Sequence, residues 1–161
     1  MARHQLTQAA FDRLQSELYD LTTRGRIEVS QKIERARELG DLSENGDYHA
    51  AKDEQGHMEG RIRQLEAMLE EGNYEIVAAP DHGVVGIGTV VEILYEGDDP
   101  DMSEKYFLGH IEEELDDLDI MSPNSPLGSA LQGRKVQEWV EYDGPNGRLK
   151  VQIVSVEVRS A

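Results

Sequence analysis

Tyr48, Ala51, Gln55, Met58, Ile62, Leu65 and Leu69 recur at alternating intervals of three and four without a break. Side chains at that spacing line one stripe of an α-helix, and a stripe that narrow is covered by another helix. A partner lies just upstream. No proline occurs between Thr7 and Leu39, and Phe11, Leu14, Leu18 and Leu21 repeat at three, four and three. The stripe then changes phase to Val29, Ile33 and Ala36, which predicts a kink or stutter across Thr22-Thr23-Arg24-Gly25. Thr7 is placed to cap the first helix, and Gly72 to close the second in a left-handed turn. Between the stripes, Gly40-Asp41-Leu42-Ser43-Glu44-Asn45-Gly46 reads as a turn. Two helices of about 25–32 residues joined there form an antiparallel hairpin roughly 40–45 Å long at 1.5 Å per residue. The same stripes also suit helices that pair between two chains.

The second half of the 161-residue chain has a different texture. Ile87–Tyr95 alternates and is rich in β-branched residues, and further strands are expected at 105–111, 118–121, 136–142 and 149–158. A short helix is expected over Pro126–Gln132, stopped by Gly133, and Gly144-Pro145-Asn146-Gly147 marks a hairpin turn. The fold class is therefore α+β in two domains. An N-terminal antiparallel coiled-coil hairpin spans 1–78, and an antiparallel β-sheet domain with one short helix spans 79–161, after the linker Ala79-Pro80-Asp81-His82-Gly83.

Charge narrows the function. Sixteen basic residues face 33 acidic ones, for a net charge of −17. That balance opposes autonomous binding to duplex DNA or free RNA, because phosphate affinity rests on Lys and Arg. It leaves a metal-handling protein, one that docks on a basic surface, or one that is simply well solvated. There is no cysteine, so disulfides, thiolate metal sites and cysteine nucleophiles are excluded. No apolar run approaches the ~18–20 residues that span a bilayer, and no signal-peptide core follows the first residues, so a cytoplasmic protein is expected.

The turn between the helices concentrates the chemistry. Asp41 and Glu44 sit on it three residues apart, flanked by Arg37 and Lys52 from the two helices. Carboxylates are the hard oxygen ligands that Mg²⁺ takes, but two are too few to hold it without waters, phosphates or a partner's ligands. A purely structural reading also fits: Asp41, Ser43 or Asn45 can cap the second helix, and acidic residues there complement its dipole. His49, Asp53 and His57 share one helix face, but the two histidines stand about 12 Å apart along the axis, too far to share one ion. Asp98-Asp99-Pro100-Asp101 lacks the features of a calcium loop and reads as solvated. The run Glu112-Glu113-Glu114-Leu115-Asp116-Asp117 either faces a basic partner or is solvated, the second reading being preferred.

Residues 40–52, Gly-Asp-Leu-Ser-Glu-Asn-Gly-Asp-Tyr-His-Ala-Ala-Lys, followed by Gln55-Gly56 and Glu59-Gly60-Arg61-Ile62, resemble the signature of the bacterial Gre transcript cleavage factors. Ser122-Pro123-Asn124-Ser125-Pro126-Leu127-Gly128-Ser129-Ala130-Leu131 resembles that family's C-terminal motif. The resemblance implies a transcription elongation factor that stimulates RNA polymerase to cleave backtracked nascent RNA, without being a free-standing enzyme. It implies a hairpin that enters the polymerase secondary channel, with Asp41 and Glu44 as the catalytic pair. They would help hold a second Mg²⁺ and its water, jointly with the polymerase. Arg37 and Lys52 would contact the extruded RNA 3′ end or the channel wall. Their other reading is surface charge with local ion pairs, such as Arg37 with Asp41. Tyr48 either packs in the seam or stacks on a base, packing being preferred. The C-terminal half would be an FKBP-like domain, a fold name that does not carry isomerase activity. Its Asn124, Ser125 and Pro126 would dock on a coiled coil of the large polymerase subunit, and they also suit a helix cap, with Ser125 at the N-cap and Pro126 at the first position. A monomer is expected. Relatives with an altered tip block the channel without promoting cleavage, which is the rival reading. Ser43 departs from an often basic family position, and Gly46-Asp47 replaces a more helical pair, so a looser turn is expected.

Overall fold

The computed structural model describes residues 3–40 and 45–159. The chain forms two compact units, Asp12–Tyr74 and a second built from Met1–Phe11 together with Glu75–Ala161. This differs from a boundary after residue 78. The cause is a strand too short to show any periodicity: β1 (His4–Leu6) pairs with β2 (Tyr74–Ile76) in a two-stranded sheet. Leu6 is fully buried, and the Val77 amide donates to its carbonyl at 2.8 Å. The first residues thus belong with the sheet.

In the helical unit, α1 (Gln8–Asp20) runs through a π-helical turn (Leu21–Gly25) into α2 (Arg26–Arg37), and α3 (Gly46–Met68) returns. Thr7 caps α1, its Oγ1 accepting from the Ala10 amide at 3.1 Å. The π turn is the physical form of the predicted stutter. One extra residue per turn rotates the stripe, so that Val29, Ile33 and Ala36 reach the seam buried. The Thr22 and Thr23 hydroxyls donate to the Leu18 and Tyr19 carbonyls at 2.8 and 2.7 Å, occupying acceptors at the irregular turn. Gly25 leaves room for Met58, whose Sδ would lie 3.1 Å from an added Cβ. Opposite, Ala51, Ile62, Leu65 and Met68 are buried. The buried stripe of α3 ends on Met68, not Leu69, because the helix is already unwinding there. Gly72 follows at φ +96°, the left-handed turn expected of it.

Cross-helix ion pairs flank the seam. Arg61 grips Glu17 through two hydrogen bonds of 2.9 and 2.8 Å, Arg26 grips Glu59 at 3.0 and 2.9 Å, and Lys32 meets Glu54 at 3.0 Å.

The sheet unit holds five strands in the order β5-β4-β3-β7-β6: β3 (Thr89–Tyr95), β4 (Glu104–Leu108), β5 (Asp119–Met121), β6 (Trp139–Gly144) and β7 (Gly147–Val158). The short helix α4 (Pro126–Leu131) packs against β6. One face of the sheet makes the core, from Val91, Ile93, Leu108, Val140, Val151, Ile153 and Val156 with Leu131 of α4. In β7 the inward spacing slips from two to three between Ile153 and Val156. Glu92 pairs with Ser155 and Ile93 with Ile153, so Val154 is the extra residue of a β-bulge and is exposed. Without it, one end of β7 would turn its apolar residues outward.

The sheet departs from a purely antiparallel one at its edge, where β5 runs parallel to β4 in the register Phe107↔Ile120. Parallel neighbours need a crossover long enough to bring the chain back to the same end. Residues 109–118 supply it, so the acidic run is a structural connection. Its Glu113 is buried and accepts from the Thr7 hydroxyl at 2.6 Å, and its Asp117 pairs with Arg159 at 3.0 Å. The reading of that run as solvated fails at Glu113 and holds at Asp117, which stays exposed in its ion pair.

The Glu17–Arg61 pair is about 30% exposed on each side chain, whereas Lys32 and Glu54 are about half exposed. A double-mutant cycle should therefore return a coupling of about 1 kcal/mol for Glu17/Arg61 and less than about 0.5 kcal/mol for Lys32/Glu54. Equal couplings from denaturant melts would contradict this ordering.

Candidate functional site

The end of the helical hairpin is built around Asn45. Its Oδ1 accepts from the Tyr48 amide at 3.1 Å and so caps α3. Its Nδ2 donates to the Ala36 carbonyl at the end of α2. Of the three capping candidates in the sequence, the cap is Asn45. Asp41, Ser43 and Glu44 lie outside the described residues. Gly46-Asp47 forms the first turn of α3, so this pair does not loosen the helix start.

Arg37 and Lys52 come together from α2 and α3. They line one groove of about 530 Å³ with Ser30, Ile33, Glu34, Glu38 and Gln55. Arg37 lies over the Tyr48 ring, 5.9 Å from its centroid, and His49 meets the same ring edge-on at 5.7 Å. Tyr48 is half-buried, consistent with packing, while its ring also steadies the guanidinium. Lys52 donates to Gln55 at 3.0 Å. Neither cation has a carboxylate partner among the described ion pairs, and the groove sets the two cations beside the carboxylates of Glu34 and Glu38.

His57 and Asp53 approach at 3.6 Å and both are exposed, while His49 packs on Tyr48 instead. Among the described residues no group of three His, Asp or Glu side chains could hold a metal ion.

In the sheet unit, Asn124, Ser125 and Pro126 lead into α4. Ser125 is the N-cap, its Oγ accepting from the Gly128 amide at 3.1 Å and donating to the Ser122 carbonyl at 2.7 Å, and Pro126 occupies the first helical position. Pro123 O accepts from Ser129 Oγ and Gln132 Nε2 at 3.0 and 2.9 Å, which closes the loop on itself. The result is a rigid loop that presents Asn124 to solvent.

Beside it lies a cleft of about 560 Å³ lined by Arg3, His4, Gln5, Glu75, His110, Ile111 and residues 122–124. Here His4 Nδ1 and His110 Nε2 meet at 2.9 Å, and the Glu112 amide donates to His110 Nδ1 at 3.1 Å. That second bond leaves the proton on His110 Nε2, which donates to His4. Sequence reasoning missed this pair, because 106 residues separate the two rings and no local spacing joins them. The only signal was a histidine in each of two short strand-edge segments.

Two predictions follow from this corner. A Cβ at Gly128 would lie 2.1 Å from the Ser122 carbonyl oxygen, so Gly128→Ala should cost about 2 kcal/mol or more. A wild-type denaturation midpoint would show that the loop yields. Burial, and then the neighbouring His4, lower the His110 pKa from its ordinary value, with Glu112 opposing. The unfolded chain then takes up this proton at higher pH than the folded chain, so His110 withdraws stability as pH falls through about 6.5. Between about pH 7.5 and 5.5 the wild type should therefore lose more stability than His110→Gln. Parallel losses would exclude the pair as the source.

Comparison with known proteins bears on both units. Residues 4–73 match the family model described as transcription elongation factor, N-terminal, and residues 80–158 match transcription elongation factor, GreA/GreB, C-term. The chain is 45% identical over 153 residues to transcription elongation factor GreA of Streptomyces avermitilis, covering 94% of this chain and 92% of that one. It is 48% identical over 154 residues to GreA of Saccharopolyspora erythraea, covering 94% and 93%. The crystal structure of GreA factor homolog 1 of Thermus thermophilus aligns over 97% of this chain and 99% of its own, at 27% identity and a TM-score of 0.43. With both family models matched in order over nearly the whole sequence, the chain belongs to the GreA/GreB family of transcription elongation factors.

Proposed function

We propose that this chain binds RNA polymerase and stimulates the polymerase's own endonucleolytic cleavage of backtracked nascent RNA. The observation that carries the reading is the placement of two cations. Arg37 and Lys52, from two helices, flank the one turn on which the sequence sets Asp41 and Glu44. A helical arm with a buried seam and cross-helix ion pairs is suited to carry that turn into a narrow pore, the polymerase secondary channel.

In this reading Asp41 and Glu44 offer oxygen ligands at the cleavage centre, and the polymerase supplies the rest. Asp41 and Glu44 would help hold Mg²⁺ jointly with the polymerase, and the ion would supply the charge that activates a water for phosphodiester hydrolysis. Two carboxylates are too few for a two-metal centre, so the chain promotes the reaction only in the complex and is not an enzyme by itself. Arg37 and Lys52 neutralise the extruded RNA backbone or the channel wall. Asn124, held by the Ser125 cap and Pro126, meets the coiled coil of the large polymerase subunit at the rim. A factor working on polymerase acts in the bacterial cytoplasm. No helix among the described residues is long and apolar enough to cross a membrane.

The test is a stalled, backtracked elongation complex with labelled RNA at fixed Mg²⁺. The wild-type chain should release short 3′ fragments. Asp41→Ala and Glu44→Ala should each lower that activity by at least about 100-fold while binding to polymerase persists. Binding with slowed elongation and no shortening would assign the chain to the channel-blocking class, and absence of binding would overturn the reading altogether.

A further inference from the structure

We infer that Asn45 is a positioning residue for the acidic turn, acting as a strut between the two helices and not only as a helix cap. The inference rests on the proposed role of Asp41 and Glu44. Both ends of one carboxamide are used. Oδ1 takes the Tyr48 amide of the first turn of α3, and Nδ2 reaches across to the carbonyl of Ala36, nine residues back in the sequence. Ala36 is the last buried residue of α2 and Ala51 the first of α3, so small side chains let the helices approach at this end. The Ala36 carbonyl also accepts from the Leu39 amide at 3.1 Å, in the closing turn of α2. One short side chain therefore fixes the point where the chain leaves α2 to the point where it enters α3. Those two points bracket, in the sequence, the segment that carries both carboxylates.

A cap alone does not need the second bond. Asn, Asp and Ser cap helices about equally well, because each offers an oxygen to the amides of the first turn. The Nδ2 donor is what Asp lacks. A carboxylate there would also face the Ala36 carbonyl at the negative end of α2. Ser is one bond shorter and cannot span the gap while still accepting from Tyr48. Asn45→Asp and Asn45→Ser therefore remove the strut and keep the cap, whereas Asn45→Ala removes both.

Reactions that depend on placing ligands lose rate steeply when those ligands shift by about an ångström. With backtracked elongation complexes, the cleavage rate at saturating factor should fall roughly 10- to 100-fold in both Asn45→Asp and Asn45→Ser. The concentration giving half-maximal stimulation should stay within roughly two-fold, as for a residue that acts on the reaction and not on binding. Helix content should match the wild type in these two variants and drop in Asn45→Ala, whose thermal midpoint should fall below that of Asn45→Ser. Wild-type saturating rates in both Asp and Ser variants would overturn the strut and leave Asn45 a cap.

A second measurement separates this idea from the proposed function. The chain has no cysteine, so spin labels at Glu38→Cys and Asp47→Cys report only the distance across the hairpin end. That distance should be narrowly distributed with Asn45 and broadened with Asn45→Asp; the same distribution in both would overturn the strut. If the wild type failed to stimulate cleavage, the cleavage reading would fall and the label distances would still decide the strut.

Discussion

The rest of the molecule depends on where the first few residues are held. In the sequence β1 precedes the three helices α1–α3 and β2 follows them, and these two strands pair with each other. Leu6 is buried, Thr7 caps α1 while its hydroxyl donates to buried Glu113, and His4 meets His110. A hairpin fastened at one foot could fray from the other; here the chain enters and leaves it through hydrogen-bonded strands. Thr7 uses one oxygen twice, accepting from the Ala10 amide and donating to Glu113 of the crossover.

Within the arm, apolar burial is modest and set by small residues at one end. Ala36 and Ala51 approach near the turn, while Ile62, Leu65 and Met68 fill the seam farther along. Fully burying an aliphatic side chain contributes about 1.5–3 kcal/mol, so the larger residues carry most of the helix pairing. The turn end gains little from apolar area and relies on directional bonds, the Asn45 carboxamide and the Arg37–Tyr48 stack. Directional bonds hold a geometry, which suits an end whose task is to present side chains.

Much of this was legible from residue spacing. The helical stripes, the break at Thr22–Gly25, the Gly72 turn, most strands and α4 all come from local periodicity and local turn chemistry, and each lies close to where those rules put it. Features made by distant pairs were not legible. β1 and β2 are too short to alternate, the parallel β4–β5 pair depends on where a loop returns, and Glu113 looks like any other member of an acidic run. The candidate site divides the same way. Arg37 and Lys52 could be placed by counting helical turns, whereas choosing Asn45 over Asp41 or Ser43 as the cap required the Ala36 carbonyl to be in view.

The β1–β2 pairing also has a temporal side. The hairpin joins segments close in sequence, and such contacts form quickly. His4 and Thr7 find their partners more than 100 residues later, at His110 and Glu113. A ribosome releases the amino terminus first, and domains tend to fold as they emerge. The nascent chain therefore can form the helical arm and pair β1 with β2 early, whereas the His4 and Thr7 side chains wait for residues 110–113 before they find their partners.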